Sequence, residues 1–242
     1  MNPTNSPPAV KRVNLDAEES VLDSVRFELL TEAQRSPGLL ADLANLERYI
    51  AETYSARSFI ELLQNADDAK ANRFLIAQEG DWLICANDGQ PFSRNDFYSL
   101  CRSAFSDKKR GQSIGYRGIG FKSVVGMANE VHLISGALGA TFSRQLTRES
   151  LGIDVPPPLV RIPHPLALPS NPRLDERRAA IRAAGFATIF VFGGIDRARV
   201  EEEFSLFDAD YLLFLRNITE ATLSVAKKSR HSCSREALQD HC

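Results

Sequence analysis

The chain has 242 residues, is 43% hydrophobic and carries a net charge of −2. That size and composition suit one globular domain, with or without an appended subdomain, and show no strong electrostatic footprint for nucleic acid. No apolar run approaches the roughly 20 residues that a membrane-spanning helix needs, and the N-terminus, MNPTNSPPAVKR, lacks the apolar core of a signal peptide.

Residues 1–10 are rich in Pro and Asn and read as disordered. A first helix is expected from Leu15 to Gln34, ending near Ser36-Pro37-Gly38. A second begins near Leu40, with Leu43, Leu46, Tyr49, Ile50 and Tyr54 at helical spacing. A third covers Arg57 to Ala69. Two strand-like runs follow, Arg73–Gln78 and Trp82–Ala86, joined by Glu79-Gly80-Asp81 as in a hairpin. Asn87-Asp88-Gly89-Gln90-Pro91 is a turn by composition. Ser93 is a good N-cap for a helix from Arg94 to Ala104. A polar stretch, Ser106 to Ser113, then runs into three glycines, Gly115, Gly118 and Gly120.

Beyond the glycines, Phe121–Met127 reads as a short helix, Val131–Ser135 as a strand and residues 137–146 as another. Val155 to Pro172 holds seven prolines and reads as an irregular connection. Leu174–Ala184 is expected to be helical, Ala187–Phe192 a strand, Arg197–Arg216 a helix and Ala221–Val225 a last strand. Lys227–Cys242 is polar and aperiodic and reads as a disordered tail. It does not look like a finished domain edge, so a piece of a longer protein is expected. There is no internal repeat. The four cysteines, Cys85, Cys101, Cys233 and Cys242, lack paired metal spacing, which fits a reduced, cytoplasmic setting.

Three stretches carry chemistry. In Glu61-Leu62-Leu63-Gln64-Asn65-Ala66-Asp67-Asp68-Ala69, Glu61 and Asn65 stand one helical turn apart on one face, and Asp68 joins them three residues on. A carboxamide oxygen is a hard, neutral ligand for Mg²⁺, and a carboxylate beside it can orient and deprotonate a water. The bland alternative is a solvated amphipathic face. Asn87-Asp88-Gly89 ends a strand, where a short polar side chain can reach a base amino group and Gly89 lets backbone approach a flat ring. The alternative is an ordinary turn. Gly115-Tyr116-Arg117-Gly118-Ile119-Gly120-Phe121-Lys122-Ser123 places glycines ahead of a helix, as a phosphate cradle does. Three glycines at fixed places arise by chance in roughly one chain in twelve of this length, so the order of the three stretches matters more than any one of them. Two better-known loops are excluded. A P-loop would need Lys directly after its last glycine, where Phe121 stands. The dinucleotide fingerprint would need a glycine at Ser123.

A helical E-x-x-x-N, a strand ending in Asn-Asp-Gly and G-x-x-G-x-G-x-K opening a helix, within about 60 residues, resemble the GHKL superfamily of ATPases: gyrase, the heat-shock chaperones, histidine kinases and MutL. The wording ELLQNADDA, NDGQPF and GYRGIGFKSV looks closest to the sacsin-like branch. The resemblance covers about residues 40–192. It implies an α+β fold, a two-layer sandwich of Bergerat type with a mixed, mostly antiparallel sheet and helices on one face. It divides the chain into an N-terminal flexible or helical segment (1–37), an ATP-binding domain (38–226) and the tail (227–242).

By this resemblance Glu61 is the general base, Asn65 ligates Mg²⁺ and Asp68 supports the adenine side through water. The family has D-x-G-x-G where this chain has Asn87 at the Asp position and Pro91 at the second glycine, so Asn87 or Asp88 would read adenine beside Gly89. Gly115, Gly118, Ile119, Gly120 and the Phe121 backbone would meet the phosphates. Lys122 would add a charge, Thr188 would stand behind the adenine, and Ser103–Ser113 falls where the family has its ATP lid. The implied ligands are ATP and Mg²⁺. The implied activity is slow ATP hydrolysis driving a conformational switch, chaperone-like, with a homodimer through the N-terminal segment and no indicated nucleic acid, membrane or client. Two alternatives are a non-catalytic ATP-binding scaffold and a histidine-kinase-like phosphotransferase. The second would need an acceptor among His132, His164, His231 and His241, none of which lies on a coiled-coil pattern.

Overall fold

The computed structural model describes residues 15–53, 57–102, 121, 124–225 and 231–234. Its frame is one sheet of eight strands. These are β1 (Arg73–Glu79), β2 (Trp82–Asn87), β3 (Glu130–Ser135), β4 (Leu138–Ser143), β5 (His164–Pro165), β6 (Thr188–Gly193), β7 (Glu220–Ser224) and β8 (His231–Ser234). The spatial order is β5-β4-β3-β6-β2-β1-β7-β8. Every neighbouring pair is antiparallel except β1 with β7. The helices are α1 (Leu15–Arg35), α2 (Pro37–Thr53), α3 (Ser58–Asp68), α4 (Arg94–Cys101), α5 (Arg144–Leu151), α6 (Pro172–Ala183) and α7 (Arg197–Leu206). The chain is thus an α+β sandwich on a mixed, mostly antiparallel sheet, as the motifs imply.

Alternation along the strands decides which side chains meet the helices. Leu83 and Cys85 of β2, Val131 and Leu133 of β3, and Phe190 and Phe192 of β6 share one face. They form the main core with Val25 and Leu29 of α1, Phe59, Leu62 and Leu63 of α3, Phe97 of α4, and Val200 and Phe204 of α7. The opposite face, expected to carry no helix, is covered too. Ile84, Ala86, Ile134, Ile189 and Val191 pack there with Leu174 and Ile181 of α6. This second cover explains why β6 is buried at all six positions, and why its sequence is a continuous apolar run rather than an alternating one.

Local chemistry sets the helix boundaries. Ser93 caps α4 in a reciprocal capping box with Asp96. Asn171 caps α6 with Pro172 in its first turn, and Gly152 ends α5 in the left-handed conformation. Three further expectations are corrected. Residues 144–151 leave the sheet as α5, because Ser143 accepts from the Leu146 N–H and starts a helix. The helix expected over Arg197–Arg216 stops at Leu206; Phe207 and Asp208 are extended, and Asp208 caps a separate 3-10 turn, Ala209–Phe214. Residues 231–234, read as part of a disordered tail, pair with β7 as β8. No described helix is long and apolar enough to cross a membrane.

Candidate functional site

Helix α3 carries the first motif, and neighbours hold it at both ends. Its N-cap, Arg57, makes no side-chain cap bond. Instead the buried Glu203 carboxylate of α7 accepts from the Ser58 N–H (2.9 Å) and the Phe59 N–H (3.1 Å), placing an anion on the positive end of the helix. At the C-terminal end the buried Asp67 carboxylate accepts from the backbone N–H groups of Arg216, Asn217 and Ile218. Phe59, Leu62, Leu63 and Ala66 face the core, which leaves Glu61, Gln64, Asn65 and Asp68 half-buried on the flank. Burial pushes the Glu61 carboxyl above the ordinary carboxylate range, with the nearby Arg57 charge opposing it. A carboxylate raised in this way is a better proton acceptor than a solvated one.

The second motif is bound directly to the end of that helix. Gln90 N–H donates to the Ala69 carbonyl at 2.8 Å. A Cβ on Gly89 would stand 2.6 Å from the Ala69 carbonyl oxygen and 3.0 Å from the Ala71 nitrogen, and the Gly89 φ is not in the left-handed region. The residue is therefore glycine for lack of room beside α3, and the close approach it permits in the structure is to that helix end. Gly89→Ala is expected to cost about 2–3 kcal/mol, because the obstructing atoms are backbone and cannot swing aside. Urea unfolding of the variant measures it, and an unchanged midpoint would contradict the account.

Asn87, Thr188 and Ser135 lie in register across β2, β6 and β3, with Asn87 opposite Thr188 and Thr188 opposite Ser135. They continue the helix-facing rows of these strands and form a buried polar row at 7%, 1% and 2% exposure. Ser135 Oγ and Thr188 Oγ1 are 2.6 Å apart, the Phe92 N–H donates to Ser135 Oγ (2.9 Å), and the Gly89 N–H donates to Asn87 Oδ1 (3.1 Å). Asp88 points elsewhere. Its carboxylate accepts from the Asn72 N–H, the Arg73 N–H and the Arg73 guanidinium, each at 2.8 Å. Burial acts to raise its pKa, but the Arg73 and Asn72 hydrogen bonds and the Arg73 charge outweigh that and hold it below the ordinary range. Between the two candidate base readers, Asn87 is in the buried row and Asp88 is committed to the start of β1.

Of the glycine stretch, Gly115, Gly118, Ile119, Gly120 and Lys122 lie outside the described residues, as does the Ser103–Ser113 stretch. Phe121 is described. It is buried and packs on Phe190 at a ring-centroid distance of 4.9 Å and on Phe192 at 6.3 Å. Phe190 follows Thr188 on the same face of β6. Phe92, just past the Asn-Asp-Gly turn, also meets Phe190 edge-on at 5.9 Å. The structure thus sets the end of α3 against the turn that follows Asn87, with the Asn87–Thr188–Ser135 row beside it and Phe121 further along the same face of β6, over Phe190 and Phe192.

Ser135, Asp67 and Glu203 were missed by sequence reasoning. Ser135 left a trace, a hydroxyl closing the strand-like run Val131–Ser135, but only the strand register places it beside Thr188. His132 and His164 sit in strands, buried, with their pKa lowered to about 4 chiefly by burial. Neither is on a helix, and neither stands as an exposed phosphate acceptor.

No protein-family model matches the chain. It is distantly homologous to Protein NO VEIN of Arabidopsis thaliana, with 30% identity over 249 aligned positions covering 88% of this chain. The chain spans only 9% of that relative's length. A solved structure described as the N-terminal domain of a DNA repair protein aligns with 77% of this chain and 54% of its own, at 14% identity and a TM-score of 0.44. A likeness of that degree carries no argument about function.

Proposed function

We propose that this chain is a Mg²⁺-ATP-binding module of the GHKL type, whose slow hydrolysis drives a conformational switch in a longer, chaperone-like protein. The observation that carries this reading is the convergence of three separate motifs. The helix of Glu61 and Asn65, the Asn-Asp-Gly turn and the glycine stretch span about 60 residues of sequence, and their described parts share the sheet's helix-facing side. Three unrelated solvated features would have no reason to share it.

In this reading Asn87 and Thr188 receive the base, and Asn65 presents its amide oxygen to the cation. Among the described residues no group of three His, Cys, Asp or Glu side chains could hold a metal by itself. A divalent ion here would therefore be held jointly by Asn65, phosphate oxygens and water, which is the usual habit of Mg²⁺. Glu61, with its raised pKa, takes a proton from the attacking water. Pairing of two copies through residues 1–37 would be an output of the switch.

Isothermal titration of the folded chain with Mg²⁺-ATP tests the reading. Asn65→Ala should weaken binding roughly 10–100-fold, the range seen when support for a metal is removed. Glu61→Ala should leave binding intact and lower turnover by about 10²–10⁴, the usual weight of a general base. A folded wild-type chain that gives no binding heat would sink the proposal. Binding without turnover, unaffected by Glu61→Ala, would make the chain a non-hydrolysing ATP scaffold instead.

A further inference from the structure

The buried row at the base end contains no side chain restricted to donating or to accepting. Asp88, the carboxylate next to it, has both oxygens committed to Asn72 and Arg73. Asn87 Oδ1 accepts from the Gly89 N–H. Because that partner can only donate, the bond fixes which end of the amide is oxygen and turns Nδ2 the other way. No described residue accepts from Nδ2, while Oδ1 keeps a second lone pair. Ser135 accepts from the Phe92 N–H, but the Ser135–Thr188 bond can run in either direction. Donated by Ser135, it leaves the Thr188 hydroxyl hydrogen available. Donated by Thr188, it leaves Thr188 as an acceptor.

Building on the nucleotide reading above, we infer that this row takes 6-oxo purine nucleotides alongside ATP, with little selection between them. A carboxylate at position 87 would only accept, so it would favour the 6-amino group of adenine and repel a 6-oxo group. Asn87 serves both. Its Oδ1 lone pair accepts from an amino group, and its Nδ2 donates to an oxo group. Thr188 meets the bare N1 of adenine or the N1–H of hypoxanthine by reversing its bond with Ser135. Flipping the Asn87 amide would set its NH₂ against the Gly89 N–H, so the two bases are met in this one orientation, a 6-amino group at Oδ1 and a 6-oxo group at Nδ2, by a shift of the base along its own edge.

Titration of the full chain with Mg²⁺-ATP and Mg²⁺-ITP decides the matter; inosine differs from adenosine only along this edge. The wild-type affinities should agree within about threefold, and Asn87→Asp should shift the ratio by at least about tenfold towards ATP, since one matched and one mismatched hydrogen bond then separate the two bases. A wild-type preference for ATP of about tenfold or more overturns the inference and leaves the nucleotide site standing. Binding of neither nucleotide overturns both. If Asn87→Asp does not fold, as judged by circular dichroism and melting, the wild-type ratio alone still decides.

Discussion

Asp67→Ala should lower the stability of the chain by about 3 kcal/mol, or roughly 6–12 °C in melting temperature for a protein of this size. Asp67 is 1% exposed, and its Oδ1 accepts from the N–H groups of Arg216 (3.1 Å), Asn217 (2.6 Å) and Ile218 (3.0 Å). Alanine leaves these donors without their acceptor, and an unmet buried donor costs more than a hydrogen bond contributes. The Asn217 side chain also donates to the Asp67 carbonyl at 2.8 Å, so the whole 216–218 turn leans on this residue. Asp67→Asn gives a graded control. The amide keeps one oxygen for all three donors and loses only the second Arg216 contact on Oδ2, so its loss should be about half that of alanine. Melting curves of the two variants check the order. Equal melting of wild type and Asp67→Ala would show that the carboxylate does not hold this turn.

Stability should also fall by about 4 kcal/mol between pH 7 and pH 5 on account of two histidines, about 2 kcal/mol each. His132 and His164 are buried, and their folded-state pKa is lowered to about 4 from an ordinary 6.5. Burial is the main cause in both, with the Arg178 charge adding at His132 and the Arg26 charge at His164, where Glu149 opposes. The neutral rings are held by hydroxyls: His132 Nδ1 lies 2.9 Å from Thr141 Oγ1, and His164 Nε2 lies 3.1 Å from Thr147 Oγ1. The Glu130 carboxylate stands 3.8 Å from His132 Nε2 but does not reverse the shift. A lowered pKa means that the unfolded chain takes the proton first. The contribution is therefore complete above about pH 6.5 and is lost as the pH falls towards 4. Glu61 and Glu130, whose carboxyls are raised by burial, act in the opposite sense, but only as the pH nears the carboxylate range. Urea titrations at pH 7 and 5 measure the slope. In a His132→Gln, His164→Gln double variant, amides replace the titrating rings and the slope should largely disappear. A slope that persists would assign the pH dependence to other groups.

Much of the fold was legible because local signals were strong. The apolar spacing of Leu62, Leu63 and Ala66, the Glu79-Gly80-Asp81 turn and the Ser93 cap each act over a few residues. The breaks were harder to read. Nothing in the periodicity of 197–216 marks the stop at Leu206, since the extended Phe207 and the Asp208 cap only make sense once the turn beyond them is packed. The strand at 231–234 was invisible because its polar residues gain their place from β7. At the site, the pairing of residue types within α3 could be read directly. The choice of Asn87 over Asp88 in the polar row could not, because it depends on Arg73 claiming Asp88, and Ser135 enters only through the register of β3 against β6. Asp67 and Glu203 were hidden for the same reason: each bonds a partner about 150 residues away in the chain.

That separation has a consequence for synthesis. Helix α3 carries Glu61 and Asn65, yet its N-terminal anion comes from Glu203 and its C-terminal anchor from 216–218, and β1 beside it pairs with β7. A chain emerging from a ribosome at about 5–20 residues per second would expose α3 for roughly 8–30 s before those partners appear. During that interval the edge of β1 stays open, and a nascent chain interrupted before residue 200 would carry the motif in sequence while lacking the contacts that seat it.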